Sequence, residues 1–304
     1  MHDIIIVGGG PAGLTAAVYA LRAGKTALVI EKAGFGGQIA FSPKVENIPG
    51  TITISGAEFA DKLAEQVLAL GADVEMECVT GVEKGENSFT VTTEEGTSCE
   101  GKAVILANGV KHRMLGLEGE DELIGKGISF CAVCDGAFYT GQDTAMIGGG
   151  NSALQEALLL ADVCRSVTVV QNLPTFTGEQ KLADALMAKP NVNVLFSTVV
   201  SGYLTENGQL TGLRVRSEET GEEQEITVDG AFLAVGLQPE NENFTHLCDL
   251  NQYGYYDVNE FCVTKTPGVF VAGDCRSKFI RQVTTAAADG AIAALAACRY
   301  IDDN

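Results

Sequence analysis

The sequence predicts an α/β protein of two domains, and three observations support this prediction. The chain has 304 residues, too many for one ordinary core and suited to two domains of about 100 to 200 residues each. Its 36 glycines against 7 prolines, with 46% hydrophobic residues, are typical of a fold with many tight strand-to-helix turns. The third observation is a glycine-rich pattern of strand, turn and helix that occurs twice.

The first copy of this pattern begins near residue 1. An apolar strand over residues 4–7 leads into Gly-Gly-Gly-Pro-Ala-Gly at residues 8–13 (the first fingerprint), and a later strand over residues 27–30 ends on Glu31. A G-x-G-x-x-G turn with an acid about 20 residues further on is typical of a Rossmann-like dinucleotide-binding domain. Glu31 is predicted to accept from a ribose hydroxyl, while backbone N–H groups bind a pyrophosphate at the helix N-terminus. The backbone positions concerned are Gly8, Gly10, Pro11 and Gly13. A glycine-rich turn without a ligand is the alternative.

The second copy lies in the middle of the chain. A strand over residues 144–147 precedes Gly148-Gly149-Gly150-Asn151-Ser152-Ala153 (the second fingerprint), and a helix and the strand 167–170 follow. The sequence therefore predicts a second Rossmann-like domain.

The C-terminal segment has a strand over residues 269–272 and a helix over 283–298 but no fingerprint. We predict that it returns to complete the first domain. The predicted fold is thus α/β, with two dinucleotide-binding (Rossmann-like) domains. The first domain is discontinuous, over residues 1–112 and 244–304, and the second is inserted as residues 113–243, ending in a polar linker after Pro239.

The inserted domain carries the one close pair among nine cysteines, Cys131-Ala132-Val133-Cys134. In a reducing compartment such a pair is more often redox-active or metal-binding than structural, and no second C-x-x-C or neighbouring histidine completes a zinc site. Because only two residues separate the cysteines on a helical turn, the second thiol is close enough to resolve a mixed disulfide formed by the first. We predict a redox pair and no metal. Asp135 is the predicted proton donor and acceptor, or alternatively a carboxylate that interacts with the helix dipole.

Charge and hydropathy limit the partners and the location. A net charge of −20 argues against nucleic acid or an anionic membrane. No apolar run reaches the roughly 18 residues of a membrane span. The first strand begins at once, without a basic leader or cleavage site, so we expect a cytoplasmic protein.

With these motifs in order, the sequence closely resembles the low-molecular-weight thioredoxin reductases along nearly its whole length. The resemblance rests on residues 8–13, Gly36-Gly37-Gln38, Val45-Glu46-Asn47-Ile48-Pro49-Gly50, residues 131–136, residues 148–153, Gly273-Asp274 and Arg281-Gln282-Val283. It implies a flavoprotein enzyme, a homodimer with FAD in the first domain, that reduces thioredoxin. By the same resemblance, Cys131 attacks the partner's disulfide and Cys134, nearer the flavin, exchanges electrons with it. The further residues assigned to FAD are Gly37, Gln38, Asn47, Val79, Ala107, Gly109, Gly273, Asp274, Arg281, Gln282 and Val283.

The sequence departs from this family at the second fingerprint. NADPH-dependent members follow the next strand with His-Arg-Arg and a further Arg, which hold the 2′-phosphate. Here those positions are Gln171, Asn172, Leu173 and Thr177. Charge-assisted contacts to phosphate are about twice as strong as neutral ones, so NADPH is a doubtful donor. No acidic residue stands at these positions to bind the ribose of NADH either. The glycines of the second fingerprint could be present only because the strand-to-helix turn needs small residues.

The ferredoxin-dependent flavin thioredoxin reductases resemble this chain in keeping FAD and C-x-x-C without the phosphate motif. We therefore predict reduced ferredoxin as the donor. An acidic ferredoxin would need a basic patch, from Arg276, Lys278 and Arg281 or from Lys111, Arg113 and Lys126.

Three other functions remain open. The first is an NAD(P)H-dependent thioredoxin reductase. The second is a flavin dithiol oxidase that uses oxygen, although members of that class tend to place histidine beside the cysteine pair, whereas His2, His112 and His246 lie elsewhere in the sequence. The third is a flavoprotein redox sensor without turnover.

Overall fold

The computed structural model describes residues 1–41, 45 and 47–304, except for the side chains of residues 41, 133 and 134. The chain forms two compact units. Residues 1–111 and 238–304 make up the first unit, and residues 112–237 make up the second. Among the described residues, no helix is long and apolar enough to cross a membrane.

The return to the first unit comes earlier than we predicted. Residues 238–243, which we placed in the inserted domain with a polar linker after Pro239, belong to the first unit. Asn241 is fully buried there, and its Nδ2 donates to the carbonyl oxygens of Gly254 at 2.9 Å and Cys275 at 2.8 Å. Its Oδ1 accepts from Asn108 at 2.8 Å. The prediction of a linker was wrong because polarity is also typical of a buried residue whose side chain satisfies backbone groups.

The first unit is built on a seven-stranded sheet in the order β3-β2-β1-β6-β5-β4, with β17 also paired to β6. Strands β1, β2, β3 and β17 lie parallel to their neighbours, whereas β4, β5 and β6 form an antiparallel extension. The strands are β1 (His2–Val7), β2 (Ala27–Ile30), β3 (Asp73–Glu75), β4 (Val79–Lys84), β5 (Phe89–Thr93), β6 (Ser98–Leu106) and β17 (Val269–Val271).

Both faces of this sheet are buried. Ile4 and Ile6 point into one apolar cluster and Ile5 and Val7 into the other, as the two-residue period of a strand requires. Residues of the helices α1 (Pro11–Arg22) and α7 (Val283–Asp303) complete the first cluster. Further along the chain lie a 3₁₀ helix (Gly37–Phe41), α2 (Gly56–Ala69) and a second 3₁₀ helix (Glu242–Phe244).

Helix α7 extends beyond its predicted end at residue 298. Ala297 and Cys298 are buried, and one turn later Tyr300 and Ile301 still pack against the same cluster. The apolar face therefore continues with helical spacing to the end of the helix.

The second unit contains a parallel five-stranded sheet, β11-β10-β9-β15-β8, and an antiparallel three-stranded sheet, β12-β13-β14. The parallel strands are β8 (Ile128–Ser129), β9 (Asp143–Ile147), β10 (Ser166–Val170), β11 (Val192–Leu195) and β15 (Gly230–Leu233). The antiparallel strands are β12 (Thr198–Glu206), β13 (Gln209–Ser217) and β14 (Glu223–Thr227).

Helices cover one face of the parallel sheet and the three-stranded sheet covers the other. The helices on the first face are α4 (Ala132–Asp135), α5 (Asn151–Val163) and α6 (Gln180–Met187), with a 3₁₀ helix (Gly136–Tyr139) after α4. The short helix α3 (Glu120–Leu123) lies on the other face, where Leu123 packs in the same cluster as the three-stranded sheet. Where the chain passes between the units, β7 (Val110–His112) pairs with β16 (Leu237–Pro239).

Candidate active site

The first fingerprint forms the turn between β1 and α1 and leaves little space for side chains. A Cβ on Gly8, which has φ +106°, would lie 2.3 Å from the Ala107 carbonyl oxygen, and one on Gly13 would lie 1.9 Å from the Gly8 oxygen. The nearest atom to a Cβ on Gly10 would be 4.0 Å away. Packing therefore accounts for Gly8 and Gly13, whereas the absence of a side chain at Gly10 leaves space for a ligand beside the N-terminus of α1.

Glu31 and Pro11 complete this turn. The Oε2 of Glu31, which is 8% exposed, accepts from the Gly9 N–H at 2.6 Å, and its Oε1 accepts from the Ala33 N–H at 2.9 Å. Pro11 is the first residue of α1, where no backbone N–H is needed.

Asp274 offers a second test of whether this unit fits a dinucleotide. Its Oδ1 is buried and makes no hydrogen bond, and the Lys278 Nζ lies 3.6 Å away. Burial raises the pKa of Asp274 although Lys278 and Arg281 oppose that shift. A buried acceptor without a donor is costly, and a ligand hydroxyl would satisfy it. The open turn at Gly10 and this oxygen both fit FAD.

The structure brings several of the other predicted cofactor residues together in the first unit. Asn47 Nδ2 donates to Gln282 Oε1 at 2.9 Å, and Gln282 caps α7, which begins at Val283. Arg281 Nε donates to the Asp274 carbonyl at 3.4 Å, and the guanidinium lies 4.1 Å from the centroid of the Tyr255 ring.

The remaining predicted cofactor residues have different surroundings. A Cβ on Gly37 would lie 3.5 Å from Gly10 Cα, and Gln38 Nε2 donates to the Val110 carbonyl at 3.4 Å. Gly273 donates its N–H to Asp289 at 3.1 Å. Gly109 has φ +66° and an open surrounding, whereas Val79 is buried in the cluster that contains Ile5. Glu46, part of the motif around Asn47, lies outside the described residues.

Arg276 and Lys278 do not form the basic patch that we considered. Arg276 makes two hydrogen bonds of 2.8 Å to Asp289, and Lys278 donates to the same carboxylate at 2.9 Å. Their side chains are 12% and 6% exposed, and that of Asp289 is 5% exposed. Burial alone would raise the pKa of Asp289, but the two cations hold it below its ordinary value. These charges stabilise the fold and are not free for an acidic partner.

The second fingerprint, in the second unit, forms the turn between β9 and α5. A Cβ on Gly148, with φ +128°, would lie 2.4 Å from the Ala234 oxygen, and one on Gly149 would lie 2.5 Å from the Gln171 side chain. A Cβ on Gly150 would meet nothing closer than 3.9 Å. The fold thus requires glycine at position 148, a Cβ at position 149 would displace the Gln171 amide, and Gly150 leaves open space.

The four positions after β10 carry no positive charge. Gln171 is 3% exposed and its Nε2 donates to the Thr175 carbonyl at 3.0 Å, so this amide is engaged within the turn. Thr177 Oγ1 donates to the Gly149 carbonyl at 3.2 Å, while Leu173 is 43% exposed. Neither Gln171 nor Thr177 thus presents a free side chain to a phosphate.

Cys131 is disulfide-bonded, whereas the seven cysteines outside the C-x-x-C pair are free thiols. We call residues 131–135, which end in helix α4, the redox turn. The side chain of Cys134 lies outside the described residues, so its role as the partner stays a prediction. Of the free cysteines five are buried and two are partly exposed: Cys164, Cys248, Cys262, Cys275 and Cys298 are buried, Cys78 and Cys99 partly exposed.

Ser129 connects Asp135 to the backbone of Cys131. Its hydroxyl donates to Asp135 Oδ2 at 2.6 Å and accepts from the Cys131 N–H at 3.1 Å. Asp135 ends α4 and makes no capping hydrogen bond to the 3₁₀ helix that follows. The Asp135 carboxylate is therefore fixed against the strand that precedes the cysteines.

Two titratable residues near the redox turn were missed from the sequence. The Oε2 of Glu156, on α5, accepts from the Ala132 N–H at 3.0 Å. His112 stacks on Phe130, the residue before Cys131, with ring centroids 5.1 Å apart and an interplanar angle of 18°, and burial lowers its pKa. No local pattern could reveal either contact, because the partners are 24 and 18 positions apart in the chain.

Among the described residues, no group of three or more His, Cys, Asp and Glu side chains could hold a metal ion. One unit has a dinucleotide-binding turn that fits FAD, and the other has a disulfide-bonded cysteine on a short helix beside a fixed carboxylate. This combination defines a flavin-dependent disulfide oxidoreductase.

Comparison with known proteins agrees with this class. The family model for pyridine nucleotide-disulphide oxidoreductases matches residues 2–290, and the chain belongs to that family. Thioredoxin reductase of Bacillus subtilis is 37% identical over 303 residues, covering 100% of this chain and 95% of the relative. A 34.2 kDa protein in a rubredoxin operon of Clostridium pasteurianum is 38% identical over 302 residues, covering 98% of this chain and 97% of the relative.

A solved structure is similar over the same length. The crystal structure of Lactococcus lactis thioredoxin reductase superposes with a TM-score of 0.94 at 34% identity and covers 100% of both chains. The chain is therefore an FAD-dependent oxidoreductase with the fold of the thioredoxin reductases.

Proposed function

We propose that this protein reduces the disulfide of thioredoxin through FAD and the pair Cys131 and Cys134, with reduced ferredoxin rather than NADPH as the electron donor. The Cys131 thiolate attacks one sulfur of thioredoxin, which breaks that disulfide and forms a mixed disulfide. Cys134 then attacks Cys131, which releases reduced thioredoxin and leaves the enzyme disulfide. Asp135, held by Ser129, takes and returns the proton.

FAD, when bound, supplies a two-electron store that one-electron carriers can fill, and this matters because a disulfide takes two electrons together. The drop from about −400 mV for a plant-type ferredoxin to about −270 mV for thioredoxin corresponds to roughly 6 kcal/mol for two electrons. The potential difference therefore allows this route.

Thiol chemistry of this kind also suits a reducing, cytoplasmic location, which we include in the proposal.

The observation that carries the donor assignment is the uncharged surface after β10. At the four positions where a 2′-phosphate would need cations, the chain has Gln171, Asn172, Leu173 and Thr177, and the side chains of Gln171 and Thr177 donate to backbone carbonyls. Each missing charge-assisted hydrogen bond is worth about 1.5 to 3 kcal/mol. The loss of two would weaken NADPH binding at least about a hundredfold.

Ferredoxin would have to bind at cations other than Arg276 and Lys278, which are bonded to Asp289. In the second unit, Arg113 and Lys126 are exposed. Lys111 is also exposed but pairs with Glu240 at 3.0 Å, a carboxylate that Lys32 shares. We therefore assign docking to Arg113 and Lys126, and expect it to weaken as salt rises.

The open space at Gly150 supports the alternative of an NAD(P)H donor, because the protein itself does not need a glycine there. The stacking of His112 on Phe130 supports the alternative of a dithiol oxidase, because it brings a histidine next to the residue before Cys131. Both alternatives retain the disulfide chemistry and differ in where the electrons come from or go to.

Anaerobic stopped-flow absorbance at the flavin band distinguishes these functions, with NADPH, NADH and photoreduced ferredoxin tried in turn. We expect ferredoxin to bleach the flavin and to support thioredoxin turnover, and both nucleotides to act slowly or not at all. Bleaching at catalytic rates by either nucleotide would overturn the donor assignment. Rapid oxygen consumption with a small dithiol would favour the oxidase.

A variant that gains activity with NADPH provides a second test of the donor assignment. Asn172→Arg, Leu173→Arg and Thr177→Arg together should raise the rate of bleaching by low NADPH at least tenfold, because they restore cations for the 2′-phosphate. The control places Gln at the same three positions, which adds length without charge. Equal effects of the Arg and Gln variants would contradict the role of charge.

We also propose a homodimer, on the resemblance to the thioredoxin reductases alone. Sedimentation equilibrium should give about twice the chain mass of 31.8 kDa. A single species at the chain mass would reject it.

A further inference from the structure

The redox turn is held from two sides by two different carboxylates. On one side, Ser129 links Asp135 to the Cys131 N–H. On the other, Glu156 accepts from the N–H of Ala132, the first residue of α4 and the one after Cys131. The free N–H groups at the start of a helix stabilise a nearby negative charge. Because Glu156 occupies the Ala132 N–H, that group stabilises the Glu156 carboxylate instead of a thiolate at Cys131.

The surroundings of Glu156 make its charge sensitive to the redox turn. Its carboxyl is partly buried, and this burial raises its pKa to about 7, although the Ala132 N–H opposes the shift. The titratable groups on the elements that pack against α5 are Cys134 and Asp135 on α4, Tyr139 on the 3₁₀ helix, Lys181 and Asp184 on α6, and Asp143 on β9. Asp143 is held by Arg165, and Asp184 accepts from Gln180 at 2.8 Å.

We propose that Glu156 is a positioning residue of the redox turn, which holds the Ala132 N–H and takes up a proton when a thiolate forms at Cys131. This inference rests on the disulfide chemistry of Cys131 and is independent of the electron donor. Two electrons, which reduced FAD would supply, break the S–S bond and leave a negative charge on each sulfur. One proton forms the thiol of Cys134 and a second binds Glu156, so that Cys131 remains the thiolate that attacks the substrate.

The electrostatic consequence can be measured on the thiol itself. An ionised Glu156 beside α4 disfavours a second negative charge on Cys131 and raises the pKa of that thiol. When Glu156 is replaced by Gln, the amide oxygen can still accept from Ala132 while the charge disappears. A contact with only a structural role would leave the thiol titration unchanged in this variant.

The test follows alkylation of Cys131 by iodoacetamide between pH 5 and 10, in reduced holoenzyme carrying Cys134→Ser. Mass spectrometry of the peptide that contains Cys131 distinguishes it from the other cysteines. With Glu156 present, we expect two inflections in the rate, one near pH 7. With Glu156→Gln, we expect the inflection near pH 7 to disappear and the apparent thiol pKa to fall by about one unit, or about tenfold more thiolate at a given pH.

Two further variants serve as controls for the effect of the Glu156 charge. Asp162→Asn removes a charge from the exposed end of the same helix, where Asp162 pairs with Lys189 at 2.5 Å, and should leave the profile unchanged. Glu156→Asp should retain two inflections. The proposal fails if Glu156→Gln and the unsubstituted chain titrate alike, or if Asp162→Asn gives the same shift. Because no electron donor takes part, neither result bears on the choice between ferredoxin and NADPH.

Discussion

Individual residues divide the chemistry between the two units. The Cys131 sulfur belongs to the second unit, whereas the open turn at Gly10 and the unbonded oxygen of Asp274, which fit FAD, belong to the first. Cofactor binding and thiol chemistry can therefore be separated by substitution.

Cys131→Ser and Cys134→Ser should each abolish thioredoxin reduction while the flavin spectrum stays that of bound FAD. Each change removes a sulfur needed either to attack or to resolve the mixed disulfide. Thioredoxin reduction and flavin absorbance of the purified variants check this. A matched control is Cys164→Ser, a free thiol in the same unit, which should keep activity. Activity in either of the first two variants would refute the redox pair.

Asp289→Asn should lower the free energy of unfolding by about 3 kcal/mol or more, because it leaves Arg276 and Lys278 buried beside a neutral group. The control Asp249→Asn breaks the exposed pair with Lys265 and should cost less than about 1 kcal/mol. Urea unfolding at pH 7 compares the two. Since the pKa of Asp289 is lowered, its contribution is present above its ordinary value of 3.8 and is lost as the pH falls below that. Equal costs for the two variants would contradict the assignment.

At the scale of elements, each fingerprint is a strand and a helix joined so closely that glycine is required. Gly13→Ala should prevent FAD retention, because its Cβ would lie 1.9 Å from the Gly8 oxygen and would separate α1 from β1. Gly81→Ala, in β4, has open space around it and should retain FAD. The ratio of flavin to protein absorbance after gel filtration measures both. Retention of FAD by Gly13→Ala at the level of the control would contradict the argument.

The elements themselves were largely predictable, because short patterns determine them. Strand β2 has the predicted bounds, and β1, β9 and β10 differ from their predicted bounds by only one or two residues. The end of α7 was missed because Tyr300 and Ile301 become apolar contacts only once the sheet is in place. The segment after Pro239 was misinterpreted for the opposite reason, because Asn241 is polar in sequence but fully buried in the fold.

For the whole molecule, the division into two units predicts which parts of the chain bound FAD stabilises. A ligand stabilises only the part of the chain that it binds, by about 2.7 kcal/mol at a hundred times its dissociation constant if that part unfolds alone. Adding FAD to the apoprotein should therefore slow amide hydrogen exchange in β1, α1 and α7. Exchange in β12 and β13 of the second unit should stay the same. Equal protection of both units would show that they unfold together.

The sequence by itself determined the class of the protein. The two fingerprints, Glu31 and the C-x-x-C pair are local patterns, and their chemistry follows from spacings of a few residues or a single strand, turn and helix. The missing cations after β10 were also readable there, because they follow a recognisable strand directly.

Only the tertiary structure decided which charges are free and which are engaged. The ion cluster at Asp289, the unbonded oxygen of Asp274 and the contact of Glu156 with Ala132 each depend on the path of the chain between distant segments. Burial then determines the outcome, because a carboxylate that is removed from water must find a cation, a donor or a proton. No pattern in the sequence specifies which of these three it finds.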